Sequence, residues 1–477
     1  MPDTLDRYLE QHGDRFVSEL RELCAIPSEA TDPSALDAAA QWCGDRLTSA
    51  GAESHELRVE GAPALVVGET GAGKRTLICV QHYDVQPAVP LDLWRTPPYD
   101  PAVRDGAVFA RGVDDNKGHL LLRIQAIEAY RAINGELPLH VRFLIEGEEE
   151  SGSSNLARIL TLDATLTDGD GALKEGGAID AAGRPQLLLG GKGIFYVELR
   201  VRSMARDAHS GAATHLPNAA WRLVTALDTL VDRGGRILID GFYDDVRPPT
   251  EAERQAASAV PDVEGALRHD MALAATEAGG ARLPERILLP ALNVRGLASG
   301  HVGASATNSI PTEAQASIDI RLVPDQTPEK VRSLLEAHLR ARGYTVVHEA
   351  PDVETRRTQP RIVRLMWGAG YPGARTAMDL PVSRAVVRVL EEARGAPVVR
   401  MPTLGGSVPM YLFQQKTGST IIGLPIANHD DNQHAANENL RLQNLWDGIE
   451  AYAAILADLD RAWDATLGSA TPAERRR

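Results

Sequence analysis

Four carboxylates fall within five positions, at Glu146 and at Glu148 to Glu150, directly after the apolar run Leu139-His-Val-Arg-Phe-Leu-Ile145. Like charges crowded at the end of a buried strand repel one another and resist dehydration, so they call for cations, protons or water. Two other stretches share the arrangement. Thr76-Leu-Ile-Cys-Val80 runs into Gln81-His-Tyr-Asp84, and Val108-Phe-Ala-Arg-Gly-Val113 runs into Asp114 and Asp115. His82 and Asp84 alternate with Tyr83, so an extended backbone points both to one face. A carboxylate beside an imidazole fixes its tautomer and direction, as a metal-ligating histidine requires. Further along, Asp168, Asp170 and Glu175 lie among glycines, and His429 and His434 precede the C-terminal segment. Imidazoles mixed with carboxylates suit a divalent metal ion.

The elements that must position these groups follow from periodicity. Phe16, Leu20, Leu23 and Cys24, then Leu36, Ala39, Ala40, Cys43 and Leu47, mark two helices. The apolar runs near 64–67, 76–80, 108–112 and 139–145 read as strands, with a helix carrying Leu120, Ile124 and Ile127 before the last. This βαβ rhythm predicts a largely parallel sheet with the acidic clusters gathered beyond the carboxyl ends of three of its strands. Gly68-Glu-Thr-Gly-Ala-Gly-Lys-Arg75 misses the phosphate-binding loop, because Arg75 stands where a hydroxyl is needed and a strand follows, so it reads as a hairpin turn. From Gly191 the pattern changes to strand–helix–strand–helix–strand, ending at Tyr344-Thr-Val-Val-His348, which predicts an antiparallel α+β module. The expected organisation is a discontinuous α/β domain, 1–192 and 374–470, with 193–373 inserted and a disordered tail at 471–477. A helix is expected around Val386, Val387, Leu390 and Ala393, another after Pro409, and the final helix from Ala435 to Leu440 onward.

Composition narrows the function classes. The 477 residues carry a formal net charge of −15, which argues against nucleic acid and against a polybasic membrane patch. Three scattered cysteines, Cys24, Cys43 and Cys79, read as core thiols in a reducing cytoplasm. No signal peptide is legible at Met1-Pro-Asp-Thr-Leu-Asp-Arg7, and no apolar run approaches the roughly 20 residues that span a bilayer.

Taken in order, these blocks resemble the cocatalytic zinc peptidases that include carnosinase, aminoacylase, carboxypeptidase G and succinyl-diaminopimelate desuccinylase, and most closely the carnosinase-like dipeptidases. His82-Tyr-Asp84 matches H-x-D, Arg111-Gly-Val-Asp-Asp-Asn-Lys-Gly118 matches R-G-x-x-D-x-K-G, and Glu149-Glu150-Ser-Gly152 matches E-E-S-G. The resemblance implies a phosphorylase/hydrolase-like catalytic domain, with a mixed, largely parallel sheet flanked by helices. It implies an inserted ferredoxin-like lid through which the chain dimerises. It also implies two divalent metal ions per subunit, zinc for preference, with Mn²⁺ or Co²⁺ also able to bind. The implied ligands are His82, a bridging Asp115 rather than Asp114, Glu150, Glu175 and His434, with Asp84 supporting His82. A cis peptide is expected after Asp115. Glu149 would be the general base and His209 the oxyanion stabiliser, often in the partner subunit's site. Asn308 and Arg321 would hold the substrate's carboxylate end, and the Gly405-Gly406-Ser407 loop would line the same pocket.

One position departs from the dipeptidase pattern. Where those enzymes carry Asp, this chain has Glu175, which leans toward acylases and carboxypeptidases, unless Asp168 or Asp170 is the ligand. Thr307-Asn-Ser-Ile-Pro311 and Ile320-Arg-Leu-Val-Pro324 keep the dipeptidase spacing. The expected reaction is hydrolysis of a dipeptide, with an N-acyl-amino-acid deacylase or carboxypeptidase as the alternative and a non-catalytic scaffold as a remote one.

Overall fold

Leu77, Ile78, Cys79 and Val80 form a continuous apolar run, the signature of a strand buried on both faces. In the computed structural model, which describes residues 2–277, 279–407, 410–412, 414 and 421–469, this run is the strand Thr76–His82 near the middle of an eight-stranded sheet. Side chains alternate between two cores. Leu77, Cys79, Val141 and Phe143 face one that includes the helices Pro2–Cys24, Pro33–Ser49 and His119–Asn134. Ile78, Val80 and Leu144 face the other, with Leu156, Ile159 and Leu166. The second helix starts where the sequence dictates: Asp32 accepts the Ser34 and Ala35 amides, and Pro33 takes the first helical position.

The central strands run parallel. Thr76–His82 lies between His140–Glu146 and Gly171–Lys174, and Gly171–Lys174 is parallel to Ile421–Gly423. Glu53–Leu57 and Leu65–Thr70 add antiparallel strands at one edge, so the sheet is mixed.

Three expectations fail here. Residues 68–75 are not a hairpin turn, because Leu65–Thr70 and Thr76–His82 do not pair. The strand His140–Glu146 lies between them. The loop instead crosses the start of that inserted strand so closely that a Cβ on Gly71 would sit 2.1 Å from the Leu139 carbonyl oxygen. Nor does the strand before Asp115 belong to the main sheet. Ala107–Phe109 sits in a separate three-stranded sheet with Ala102–Arg104 and Asn439–Arg441. That last strand also corrects the C-terminal reading: Asn439–Arg441 is extended, and the final helix begins at Leu442.

The inserted segment builds a five-stranded sheet in the order Ala291–Ser299, Glu313–Leu322, Gly193–Arg202, Ile362–Tyr371, Thr345–Val347. Its core joins Phe195, Val197, Leu199 and Ile318 to Leu223 and Ala226 of helix Ala219–Asp228 and to Val331, Leu335 and Leu339 of helix Pro328–Ala341. Periodicity had marked both helices and three of the strands. Ala291–Ser299 and Ile362–Tyr371 were not foreseen, and the terminal pair is parallel rather than antiparallel. The helix around Val386 is Pro381–Arg394. The tail 471–477 and most of the helix expected after Pro409 lie outside the described residues. Among the described residues, no helix is long and apolar enough to cross a membrane.

Candidate metal centre

Strand Thr76–His82 ends in a fully buried imidazole. His82 Nδ1 lies 3.1 Å from the Asp84 carbonyl oxygen and 3.3 Å from Asp84 Oδ1, which turns Nε2 toward Asp115 Oδ1 at 3.0 Å. The Asp84 carboxylate has a second task. Its oxygens accept the backbone amides of Glu149 (3.2 Å) and Glu150 (3.0 Å), locking the next acidic turn to this strand end. The two strands pair with His82 opposite Glu146. Gly147 is required at the turn, since a Cβ there would fall 2.4 Å from the Tyr83 ring.

Asp115 arrives from another element. It sits in the tight turn Val113–Gly118, and its bond to Asn116 is cis, as the resemblance led us to expect. Buried Glu438 holds that turn by accepting the amides of Gly112, Asp114 and Asp115 and by an ion pair of 2.6 Å with buried Arg111. The two Asp115 oxygens then diverge. Oδ1 meets His82, and Oδ2 meets His434 Nε2 at 3.0 Å and the Gln433 amide. Asp114 lines the same cleft but bonds to neither histidine; burial, with Asp431 and Glu438 nearby, pushes its carboxyl well above the usual range. Exposed His429 offers its backbone amide to Ile179 and does not line the cleft.

Glu150 Oε2 is 3.3 Å from His434 Nε2 and accepts the Gln86 side chain, while Oε1 is buried without a partner. Glu175 follows the strand Gly171–Lys174, which borders Thr76–His82, so the sheet does bring a third acidic group to this edge, though a different one from that expected. Its Oε1 pairs with Lys174 Nζ at 2.5 Å, and Oε2 is buried and unpartnered. Asp170 sits at the opposite end of the sheet, where it accepts the Thr76 amide, and Asp168 is on the same side, its carbonyl oxygen held by Arg142. Neither lines the cleft.

Charge couples these groups. Burial opposes protonation of His82, but its bonds to Asp115 and Asp84 outweigh burial and hold its pKa well above the ordinary value. Hydrogen bonds to Asp115 and Glu150 push His434 up to about 10. For Asp115, burial is outweighed by the His434 and His82 bonds, and the carboxyl falls well below the usual range. Glu149 is also lowered, because Lys174 and His82 overcome its burial; its Oε1 lies 2.8 Å from Lys174 Nζ.

The residues present fit divalent ions. The ligand atoms of Asp115, Glu150 and His434 lie within 4.8 Å of one another. Among the described residues, buried carboxylate oxygens on Glu150 and Glu175 have no proton donor, an arrangement a cation satisfies. The surrounding cleft is about 760 Å³ and reaches across to Arg321, Gly406 and Ser407. Arg321 Nε pairs with Asp319 at 3.0 Å and Nη1 donates to Ser407 Oγ at 2.9 Å, so the inserted sheet and the first domain meet at one wall. His209 and Asn308 do not line the cleft. Exposed His209 belongs to a two-stranded ribbon, Ala208–His209 against Ser309–Ile310, which exposed Asn308 directly precedes, and His209 Nδ1 accepts the Gly211 amide. Lys174, Gln86 and Gln433 were missed in the sequence. Only Lys174 left a signal, as a lone cation in a strand that runs into an acid.

Comparisons with known proteins place the chain in a family. Residues 79–458 match the model of Peptidase family M20/M25/M40. Beta-Ala-His dipeptidase of Rattus norvegicus is 27% identical, with 96% of each chain covered. Cys-Gly metallodipeptidase dug1 of Schizosaccharomyces pombe is also 27% identical, over 96% of this chain and 98% of the yeast protein. Among solved structures, the M20 family metallo-carboxypeptidase Sso-CP2 from Sulfolobus solfataricus superposes with a TM-score of 0.81 at 30% identity, covering 92% of this chain and 98% of that one. Human carnosine dipeptidase 1 gives 0.76 at 26% identity, covering 96% and 98%. With two imidazoles meeting on one buried aspartate, and a family match that spans most of its length, the chain belongs to Peptidase family M20/M25/M40 and is a metallopeptidase.

Proposed function

We propose that this protein is a metal-dependent dipeptidase. The observation that carries the reading is the convergence of His82 and His434 on the two oxygens of Asp115, with Glu149 lining the same cleft. His82, Asp115 and Glu175 would hold one divalent ion, and Asp115, Glu150 and His434 the other, zinc being the ion this donor set suits best. Ions bound there supply Lewis-acid chemistry, acidifying water and polarising an amide carbonyl. Glu149 Oε2, the oxygen not given to Lys174, takes the proton of the attacking water and returns it to the leaving amine. Arg321, braced by Asp319 and Ser407, binds the free carboxylate of the substrate through its guanidinium. The test is dipeptide hydrolysis that disappears on dialysis against a chelator and returns with added zinc or manganese; activity that survives complete metal removal overturns the reading.

Two copies are proposed to pair through the inserted sheet, in the cytoplasm. Exposure of its edge strand Ala291–Ser299 supports pairing, as does the position of His209 and Asn308 away from their own cleft. In that arrangement His209 stabilises the oxyanion in the partner's site. Three buried free thiols support a reducing compartment. Glu175 and the likeness to a metallo-carboxypeptidase favour a second reading, removal of a C-terminal residue or an N-acyl group by the same machinery.

Arg321→Ala is expected to raise KM about tenfold or more for dipeptides with a free carboxylate and to change little for their C-terminal amides. Steady-state kinetics on matched acid and amide substrates checks this. Metal affinity should also depend on pH. His434 keeps its proton up to about 10 in the metal-free protein, so a divalent ion must displace it at neutral pH. Affinity therefore rises with pH, by about tenfold per unit above neutrality for each proton displaced, and levels off as His434 deprotonates. Competition titrations against a chromogenic chelator at several pH values measure the slope.

A further inference from the structure

We propose that Lys174 is an internal counter-cation which holds the Glu175 side of the centre until a divalent ion displaces it, so that the two ions bind unequally. The proposal rests on the dimetal reading above and concerns how that centre fills. Lys174 closes strand Gly171–Lys174, its side chain 3% exposed. Its carbonyl oxygen accepts both the Arg123 guanidinium (3.1 Å) and the Leu424 amide (2.9 Å), which fixes the backbone from which the ammonium extends. Nζ then lies 2.8 Å from Glu149 Oε1 and 2.5 Å from Glu175 Oε1. Two largely buried carboxylates that would otherwise repel each other share one positive charge.

The other half of the centre is arranged differently. Among the described residues, no lysine or arginine forms an ion pair with Asp115 or Glu150; their charged neighbours are His82 and His434. An ion entering at Asp115, Glu150 and His434 displaces no fixed ammonium. An ion held by Glu175 must part Lys174 from that carboxylate, and breaking a buried ion pair is costly. Oxygen Oε2 of Glu175, buried and without a partner, is the foothold from which that exchange starts.

Equilibrium dialysis of the full chain against buffered zinc, with elemental analysis of bound metal, tests this without reference to turnover. Wild type is expected to bind a first equivalent at least about tenfold more tightly than a second. Lys174→Met should tighten the second equivalent by about tenfold or more and leave the first unchanged. Because that variant strands two buried carboxylates in the metal-free state, Glu175→Gln is the companion. It should abolish the weaker equivalent and spare the tighter one. Equal affinities in wild type, an unmoved second equivalent in Lys174→Met, or loss of the tighter equivalent in Glu175→Gln overturns the proposal while the dimetal reading stands. Absence of zinc binding by wild type removes both.

Discussion

Replacing Glu149 by Gln is expected to lower kcat by about 10²- to 10⁴-fold, the usual contribution of a positioned acid–base group, with KM and the tighter-bound metal equivalent nearly unchanged. The amide has the shape of the carboxylate but cannot take a proton. Glu149 has no contact with His82 or His434 at hydrogen-bond distance, and its buried partner Lys174 retains Glu175, so the fold and the ion held by Asp115, Glu150 and His434 should survive. A loss in kcat without a loss of binding marks a group that acts in the transition state. Turnover at the wild-type rate in a metal-loaded Glu149→Gln protein contradicts the general-base role.

Asp115→Asn should be the more damaging change for the centre itself. Both imidazoles aim at this one carboxylate, each at 3.0 Å from a different oxygen. Asparagine keeps the volume but removes the charge and replaces one acceptor by a donor. It would therefore impair both halves of the centre together, reducing bound metal below one equivalent and kcat/KM by at least about 10³-fold. Asp114→Asn is the matched control. Asp114 is buried beside it yet bonds to neither histidine, so metal content should hold. Full metal content in Asp115→Asn would show that the carboxylate only orients the histidines.

How much of this centre could be read from the sequence depended on how local the cause was. His82 and Glu149 to Glu150 were legible because each follows an apolar strand directly, and strands buried in a parallel sheet announce themselves by unbroken apolar runs. Glu175 was legible as a position but not as the occupant of a third neighbouring strand end, because Gly171–Lys174 is short and rich in small residues. Asp115 was legible through its motif, yet its strand was assigned to the wrong sheet. Which strands pair is decided by partners far along the chain, here Asn439–Arg441 with Ala107–Phe109. The same limit explains the hairpin misreading at 68–75: nothing nearby announces that His140–Glu146 will insert between two consecutive strands. Ala291–Ser299 escaped notice because, as an exposed edge, it has little need of an apolar face. Ile362–Tyr371 ends in Gly-Ala-Gly, where close backbone approach replaces side-chain packing; a Cβ on Gly370 would fall 2.2 Å from Phe195 Cβ. Lys174 left only the signal of a lone cation before an acid, which does not mark function, since a lysine at a strand end is ordinarily solvated and only the three-dimensional arrangement puts Glu149 and Glu175 on either side of it.

Product release from a mixed panel of dipeptides and N-acyl amino acids, followed by mass spectrometry on zinc- or manganese-loaded protein, tests the central claim most directly. The account predicts cleavage of dipeptides at the single peptide bond, abolished by a chelator and by Glu149→Gln. Cleavage of the acyl compounds alone would contradict the dipeptidase reading and give Glu175 its meaning as a marker of deacylase chemistry. No cleavage of either class by metal-loaded protein would contradict the enzyme reading for both classes and favour a scaffold that keeps the fold.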